Sequence, residues 1–248
     1  MYDDIAELYH LIYEDWNTAI VRQAVALDHV ITGLLGRAPH RLLDVSCGIG
    51  TQALGLAARG YRVSAADLSA GAVARARREA RCRGLSIDFS VADMRDCEKR
   101  GSQAYDVLLC ADNSITHLEG LPEMSRAVKA FFECLRPGGI ALVGIRDYAT
   151  ENDLTTPQMH PYGFREHAGH RYFVVQTRDG RENRYEVTMY FVREAEVDRP
   201  PAVTAGTSRY YVIDVDQLVE LFREAGFDEV RRLDGVMHQP LMVGRRSG

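Results

Sequence analysis

Asp44, Gly48, Gly50, Asp67 and Asp93 are the residues whose types and spacing could do chemistry in this chain. In Arg41-Leu42-Leu43-Asp44-Val45-Ser46-Cys47-Gly48-Ile49-Gly50-Thr51 a strand-like run passes through two glycines into an alanine-rich helical segment. Gly48 and Gly50 can take positive φ and let a ligand approach the backbone closely. The N–H groups at the start of the following helix then point at that ligand. The spacing Gly48-x-Gly50-x-x-Ala53 also satisfies the dinucleotide fingerprint, so the glycines alone do not choose the ligand. The acids do. Asp44 precedes the turn, where a carboxylate would meet the positive end of a ligand better than a pyrophosphate. Asp67 lies about twenty residues past the first glycine, where a carboxylate takes a ribose hydroxyl pair. Acid, glycine turn and acid together suit a cationic nucleoside. The plainer reading is a β-α-β unit whose glycines serve only packing.

Further candidates stand at the ends of the next strand-like runs. Leu85 to Val91 ends at Ala92-Asp93-Met94, where the carboxylate could accept an exocyclic amine and the thioether could cover a ring face, with Leu68 opposite. A strand-end acid and a core methionine are the plainer alternative. Tyr105 to Cys110 delivers Ala111-Asp112-Asn113-Ser114-Ile115-Thr116-His117-Leu118, and in an open α/β sheet ligands lie past the carboxyl ends of the strands. An asparagine there can orient a neutral amine by accepting its N–H. His117 has two readings, a general base suited to O-methylation or a structural residue bonding a loop carbonyl, and the structural one is favoured because a neutral amine needs no strong base. Ile140 to Ile145, set off by the breaker Arg136-Pro137-Gly138-Gly139, ends at Arg146-Asp147-Tyr148. A guanidinium fork matches a carboxylate bidentately; a structural pair of Arg146 with Asp147 or Asp112 is the alternative.

These strands must be positioned by helices. Asp3 to Leu35 reads as two helices, with Ile5, Leu8, Leu11 and Ile12 on one face and Val21, Val25, Leu27, Val30, Ile31 and Leu34 continuing the period. Ser69 caps a helix to about Arg83 whose arginines read as a solvated face. Leu121 to Leu135 and Val215 to Ala225 are the later helices, and two closing strands follow, Phe227 to Leu233 and Met237 to Val243. Between them, Thr150 to His170 reads as loop, Arg171 to Thr177 and Arg184 to Phe191 as a hairpin across Asp179-Gly180, and Ser208 to Val212 as a third strand. The expected fold is α/β, a Rossmann-like mixed seven-stranded sheet at 41–148 and 213–248, with a helical cap at 1–40 and an antiparallel lid inserted at 149–212.

The bulk numbers bound the class. At 248 residues, 46% hydrophobic and 26% charged, the composition is that of an ordinary soluble protein with room for a substantial core. A net charge of −5 argues against nucleic acid as a partner. Five cysteines without a Cys-x-x-Cys pair fit a reducing cytoplasm better than a disulfide framework. No apolar signal core or uncharged spanning run is visible, so no membrane partner is expected. His160, His167 and His170 lack an acid or cysteine to complete a metal set, and cavity-lining or surface roles are expected of them.

Asp44-Val45-Ser46-Cys47-Gly48-Ile49-Gly50 resembles the first motif of the class I S-adenosylmethionine-dependent methyltransferases, and Leu135-Arg136-Pro137-Gly138-Gly139 resembles a turn common among them. Asn113-Ser114-x-x-His117-Leu118 and Arg146-Asp147-Tyr148 narrow the resemblance to the glycine and sarcosine N-methyltransferases. The resemblance implies S-adenosyl-L-methionine as cofactor, held by Arg22, Asp44, Ser46, Gly48, Gly50, Asp67, Leu68, Asp93, Met94 and Cys110. Arg22 resembles the arginine that holds the cofactor's carboxylate; a solvated surface arginine is the plainer reading. Tyr13, in Leu11-Ile12-Tyr13-Glu14-Asp15, resembles the tyrosine facing the reacting atoms, while Tyr2, Tyr9 and Trp16 beside it read mainly as packing. Asn113 and Arg146 are expected to act on the substrate, with His117 and Tyr148 around it. Ala111-Asp112 replaces the family's Leu-Gly, an extra carboxylate suited to a substrate with a second cation. The implied reaction is N-methylation of a small, carboxylate-bearing amine such as glycine or sarcosine. A small-molecule O-methyltransferase, an amino-sugar N-methyltransferase, a nicotinamide-dependent dehydrogenase and a non-catalytic cofactor-binding module stay open, as does a homo-oligomer.

Overall fold

The computed structural model describes residues 2–100, 104–148, 150, 156–181, 183–195 and 200–248. The chain begins with a four-residue helix, α1 (Tyr2–Ile5), and a 3₁₀ turn at Tyr9–Ile12, where the sequence pattern predicts one helix. Segments this short cannot hold a helix by backbone hydrogen bonds alone; Ile5 and Leu11 are instead buried in a cluster with Val174, Val187 and Phe191. The long helix α2 (Trp16–Leu35) starts where the Asp15 carboxylate accepts the Thr18 N–H at 3.1 Å. Its buried stripe is Ile20, Ala24, Leu27 and Ile31, so Val21 and Val25, one step around the helix, face solvent rather than the core as the pattern predicts. By length and composition α2 could cross a bilayer; in this fold that stripe packs on the sheet.

The remaining elements are β1 (Arg41–Asp44), α3 (Thr51–Ala58), β2 (Arg62–Asp67), α4 (Ala70–Cys82), β3 (Asp88–Val91), β4 (Tyr105–Cys110), α5 (Leu121–Cys134), β5 (Leu135–Gly144), the lid strands β6 (Gln158–His167), β7 (His170–Arg181), β8 (Arg184–Arg193) and β9 (Ala202–Tyr211), then α6 (Val215–Glu224), β10 (Asp228–Leu233) and β11 (Leu241–Arg245). Seven strands form one mixed sheet in the order β10-β11-β5-β4-β1-β2-β3, with β1 to β5 parallel and β11 antiparallel to both neighbours. Alternation fills both faces. Leu42 and Leu109 pack under α2, α3 and α4, while Leu43 and Leu108 pack under α5 and α6. The Arg136–Gly139 breaker does not precede β5 but lies within it, absorbed as a register shift between the Tyr105↔Leu135 and Val107↔Ile140 pairs.

The strand order reverses between β1 and β4, so the loops leaving their carboxyl ends diverge and open a crevice. A separate four-stranded antiparallel sheet, β6-β7-β8-β9, covers that end. The segment from Gln158 to His167 is a strand rather than loop; its proline and glycine sit at a bulge between Pro161 and Gly163 that hides the alternation. The β7–β8 turn also lies later than Asp179-Gly180, because Asp179 pairs with Glu186 and Arg181 with Arg184. The expected lid boundary at Ala149 falls outside the described residues.

Ser69 caps α4 as its sequence predicts, its hydroxyl accepting the Ala72 N–H at 3.1 Å. The α4 arginines are not simply a solvated face. Arg75 is buried and bonds Glu7 at 2.9 Å and Glu79 at 2.9 Å, while Arg78 also pairs with Glu7. Asp3 adds hydrogen bonds from the Ser69 hydroxyl at 2.8 Å and the Gly71 N–H at 2.6 Å. Asp3 and Glu7 thereby fasten the N-terminal segment across the crevice mouth.

Candidate functional site

A cavity of about 950 Å³ opens where β1, β2 and β4 end, walled by the N-terminal segment and by β9. Of the residues the sequence singles out, Tyr13, Ser46, Gly48, Asp67, Leu68, Asp93, Met94 and His117 line it. Gly48 has φ +52 and its Cα faces open space, while Gly50, at φ +97, is the buried start of α3 against Leu54 and Ala76. The first glycine therefore meets the cavity and the second makes the turn fit; Gly50 is not on the wall.

Asp67 holds the turn in place. Its carboxylate accepts the Gly48 N–H at 2.8 Å and the Ser69 N–H at 2.9 Å, with the cavity in front of it. Burial pushes its pKa up, against those two bonds. Asp93 is clamped by the Arg95 guanidinium, which also pairs with Glu123, and these contacts hold its carboxyl below the usual range. Leu68 is 71% exposed, yet it stands on the cavity wall with half-buried Met94. Two apolar side chains facing open space beside a carboxylate make a slot suited to a planar base.

Asp44 stands one layer behind the wall. It is fully buried; one oxygen accepts the Ser46 N–H at 3.2 Å and the other has no hydrogen-bond partner among the described residues. Burial pushes its pKa up to about 8. An orphaned buried carboxylate oxygen under the glycine turn fits the cation that the sequence places there. The unfolded carboxyl titrates near about 3.9, so the folded form binds its proton more tightly. That stability is complete below the unfolded value and is lost as pH rises through about 8. Asp44→Asn, which cannot ionise, should melt above the wild type at about pH 8 without ligand and level with it near about pH 4. Equal melting temperatures at both pH values in a fluorimetric scan would contradict this.

The other expected residues are placed differently. Arg22 is exposed on the outer face of α2 and does not line the cavity; Gln23, one step around the helix, turns inward and accepts from the Gln52 amide at 2.8 Å. Cys110 is fully buried behind Ser46, whose hydroxyl donates to its sulfur at 3.6 Å. Asn113 is buried with both ends of its amide committed: its oxygen accepts the Arg146 N–H at 2.9 Å, and its nitrogen donates to the Tyr148 hydroxyl at 2.8 Å and the Tyr185 hydroxyl at 3.4 Å. Asn113 thus has a structural role in this arrangement, its oxygen keeping one further lone pair, and Tyr148 is buried with it. Arg146 is half-buried off the cavity wall; burial raises the pKa of Tyr162, Tyr185 and Tyr210, and the Arg146 charge offsets a lesser part of that rise. The alternative pairs for Arg146 go elsewhere, Asp147 to Arg232 at 2.7 Å and Asp112 to Gln52 at 2.7 Å.

His117 Nδ1 lies 3.1 Å from the Arg209 carbonyl, which can only accept, so Nδ1 carries the proton. Nε2 must then accept from the Tyr2 hydroxyl at 3.1 Å, and Tyr2 in turn accepts from Tyr210 at 3.1 Å. Burial pushes the His117 pKa down to about 4, which keeps the ring neutral near pH 7. Its carbonyl partner belongs to the lid rather than to its own loop. Tyr2, Tyr9, Gln52, Asp112 and Tyr210 also line the cavity. Tyr2 and Tyr9 have only their density in the sequence as a signal, and Tyr210 has none. Among the described residues no three metal-ligating side chains converge; His167 packs on His10 with ring centroids 4.8 Å apart, and His160 on Tyr162 at 4.8 Å.

Residues 42–139 match the methyltransferase-domain family model. That match and the seven-stranded topology are those of the class I S-adenosylmethionine-dependent methyltransferase fold, which the Asp44–Gly50 motif also resembles. Among curated relatives, the chain is 28% identical over 148 residues to a glycine/sarcosine N-methyltransferase of Halorhodospira halochloris, covering 60% of this chain and 54% of that protein. It is 31% identical over 140 residues to the dTDP-3-amino-3,6-dideoxy-alpha-D-glucopyranose N,N-dimethyltransferase of Streptomyces fradiae, covering 56% and 52%. The chain thus spans about half the length of these relatives. A solved sugar N-methyltransferase from Streptoalloteichus shares the fold with a TM-score of 0.80, 20% identity and coverage of 98% of this chain and 94% of that one.

Proposed function

We propose that the chain is an S-adenosylmethionine-dependent N-methyltransferase whose acceptor is an amine on a hydroxylated small molecule of the amino-sugar class. The observation that carries this reading is the make-up of the cavity. Phenols of Tyr2, Tyr9, Tyr13 and Tyr210 supply hydroxyl donors, and Asp112 and Glu119 supply carboxylates. The one guanidinium among the described lining residues, Arg95, is already paired with Asp93 and Glu123. A carboxylate-bearing substrate would therefore meet like charge, whereas an amine with ring hydroxyls would meet partners. At about 950 Å³ the cavity lies at the upper end of single-ligand pockets, with space for a nucleoside and an acceptor larger than glycine.

In this reading Asp67 takes the ribose hydroxyls, Asp93, Met94 and Leu68 hold the adenine, and Ser46, Gly48 and Asp44 face the amino-acid portion. The bound cofactor supplies an activated methyl: the acceptor nitrogen's lone pair forms the N–C bond while the C–S electrons return to sulfur. The chain's own part is orientation, because collinear placement is worth on the order of 7–11 kcal/mol. The phenols and the lid exclude water and fix the acceptor. A glycine- or sarcosine-like acceptor is the second reading, favoured by the likeness to the Halorhodospira halochloris relative and by the Arg146-Asp147-Tyr148 resemblance. Release of S-adenosylhomocysteine, measured against free and nucleotide-linked amino sugars, glycine, sarcosine and phenols, separates the two. Turnover is expected with amino sugars; a preference for glycine or sarcosine would overturn the reading.

A further inference from the structure

One side chain on the cavity wall has a geometry that holding the fold does not require. Asp112 sits at φ +53 and Asn113 at φ +62, two consecutive non-glycine residues in the left-handed region. The bend is held by the Thr116 hydroxyl donating to the Asn113 carbonyl at 2.7 Å and by the Ser114 N–H donating to the Ala111 carbonyl at 3.1 Å. Left-handed backbone costs an aspartate stability that a glycine would keep. What the bend achieves is to carry the Asp112 carboxylate into the cavity, where it is exposed.

The carboxylate is also aimed. Gln52 is buried, and its amide nitrogen donates to Asp112 Oδ2 at 2.7 Å and to Gln23 Oε1 at 2.8 Å. Both donors of that amide are thereby used and the carboxylate is fixed in direction. No Lys, Arg or His pairs with Asp112 among the described residues. Two phenols feel its charge. Burial first, and the Asp112 carboxylate among the lesser causes, push the pKa of both Tyr9 and Tyr13 up, so both rings stay neutral beside a negative charge.

We propose that Asp112, on the cavity wall it shares with Tyr9 and Tyr13, is a cation subsite that takes the ammonium group of the acceptor. A carboxylate with electron-rich ring faces is the chemistry that recognises alkylated ammonium. The inference rests on the N-methyltransferase reading: the bound ammonium would first give up one proton to solvent, freeing the nitrogen lone pair. The positive charge would then pass from sulfur to nitrogen as the C–S bond breaks and the N–C bond forms, and a proton of the methylated ammonium would leave to solvent afterwards. A fixed carboxylate at the nitrogen stabilises that charge where it arrives. It also selects amines over hydroxyl acceptors, because an ammonium adds its own charge to the hydrogen bond with the carboxylate and a neutral hydroxyl does not.

The test uses a matched pair of probes of one shape, choline and its uncharged isostere 3,3-dimethylbutan-1-ol. Both are titrated calorimetrically into the full chain saturated with S-adenosylhomocysteine. Wild type should bind choline about tenfold or more tightly than the isostere. Asp112→Asn should bring the two within about twofold of each other, with S-adenosylhomocysteine affinity unchanged. Asp112→Gly, which suits the backbone bend, should do the same in a chain at least as stable. Equal binding of the two probes by wild type, or charge selectivity that survives in both variants, would overturn the subsite. A fall in S-adenosylhomocysteine affinity in the variants would also overturn it by assigning Asp112 to the cofactor. If charge selectivity holds and no amine in the acceptor panel is methylated, the subsite stands and the N-methyltransferase reading falls.

Discussion

Asp67→Ala should weaken S-adenosylhomocysteine binding by roughly a hundredfold or more, measured by calorimetry. Two losses combine. The carboxylate no longer takes the ribose hydroxyls, and charge-assisted hydrogen bonds are worth about 1.5–3 kcal/mol each. The Gly48 and Ser69 N–H groups, which donate to it at 2.8 and 2.9 Å, lose their acceptor, so the glycine turn is no longer held against the end of β2. Every 1.4 kcal/mol is about tenfold in affinity, so the ribose contacts alone account for about two decades. Asp67→Asn keeps one acceptor oxygen and should fall between the two. An alanine variant that binds within about threefold of wild type would remove the nucleoside from this position.

Asn113→Ala should cost about 3 kcal/mol of stability, a fall in melting temperature of about 6–12 °C for a chain of this size. The side chain links three places: the Arg146 backbone after β5, Tyr148, and Tyr185 in the lid. Without it the half-buried Arg146 N–H loses its acceptor and the buried Tyr148 and Tyr185 hydroxyls keep only each other, at 3.0 Å; leaving a buried group unpaired costs about 1–3 kcal/mol. Alanine at φ +62 adds backbone strain, because the left-handed region suits asparagine better. Asn113→Gly relieves that strain without restoring any bond, so it should recover only part of the loss. If the alanine variant melts within about 2 °C of wild type, Asn113 is not the junction described here, and a direct substrate role would regain its footing.

The fold was legible because its signals are local, and several residues that the cofactor reading names line one cavity for the same reason. The glycine turn, Asp67 at the end of β2 and Asp93-Met94 after β3 each follow from a strand meeting the sheet's switch point within a few residues. The acceptor half was less legible because its contacts are remote. Asn113 looks like a substrate ligand on its loop, but its partners lie 33, 35 and 72 residues away and give its amide a structural role that the loop sequence does not show. Arg22 and Gln23 are neighbours in sequence with opposite fates on one helix, and periodicity with mixed polar faces did not separate them. β6 was hidden because Pro161 and Gly163 read as breakers, while their bulge lets the ladder with β7 continue on either side.

Tyr2 and Tyr210 meet at 3.1 Å, although 208 positions separate them in the chain. On the ribosome, the Tyr2 segment emerges long before β9 is made, so the hydroxyl chain to His117 has no counterpart to join until β9 has followed. Closing so long a loop comes late and slowly compared with local helix formation. The central strands and their helices can pack as they emerge, whereas the chamber that receives the acceptor is completed last. A nascent or carboxyl-truncated chain would therefore hold the nucleoside-facing loops while the far wall of the reaction chamber is still missing.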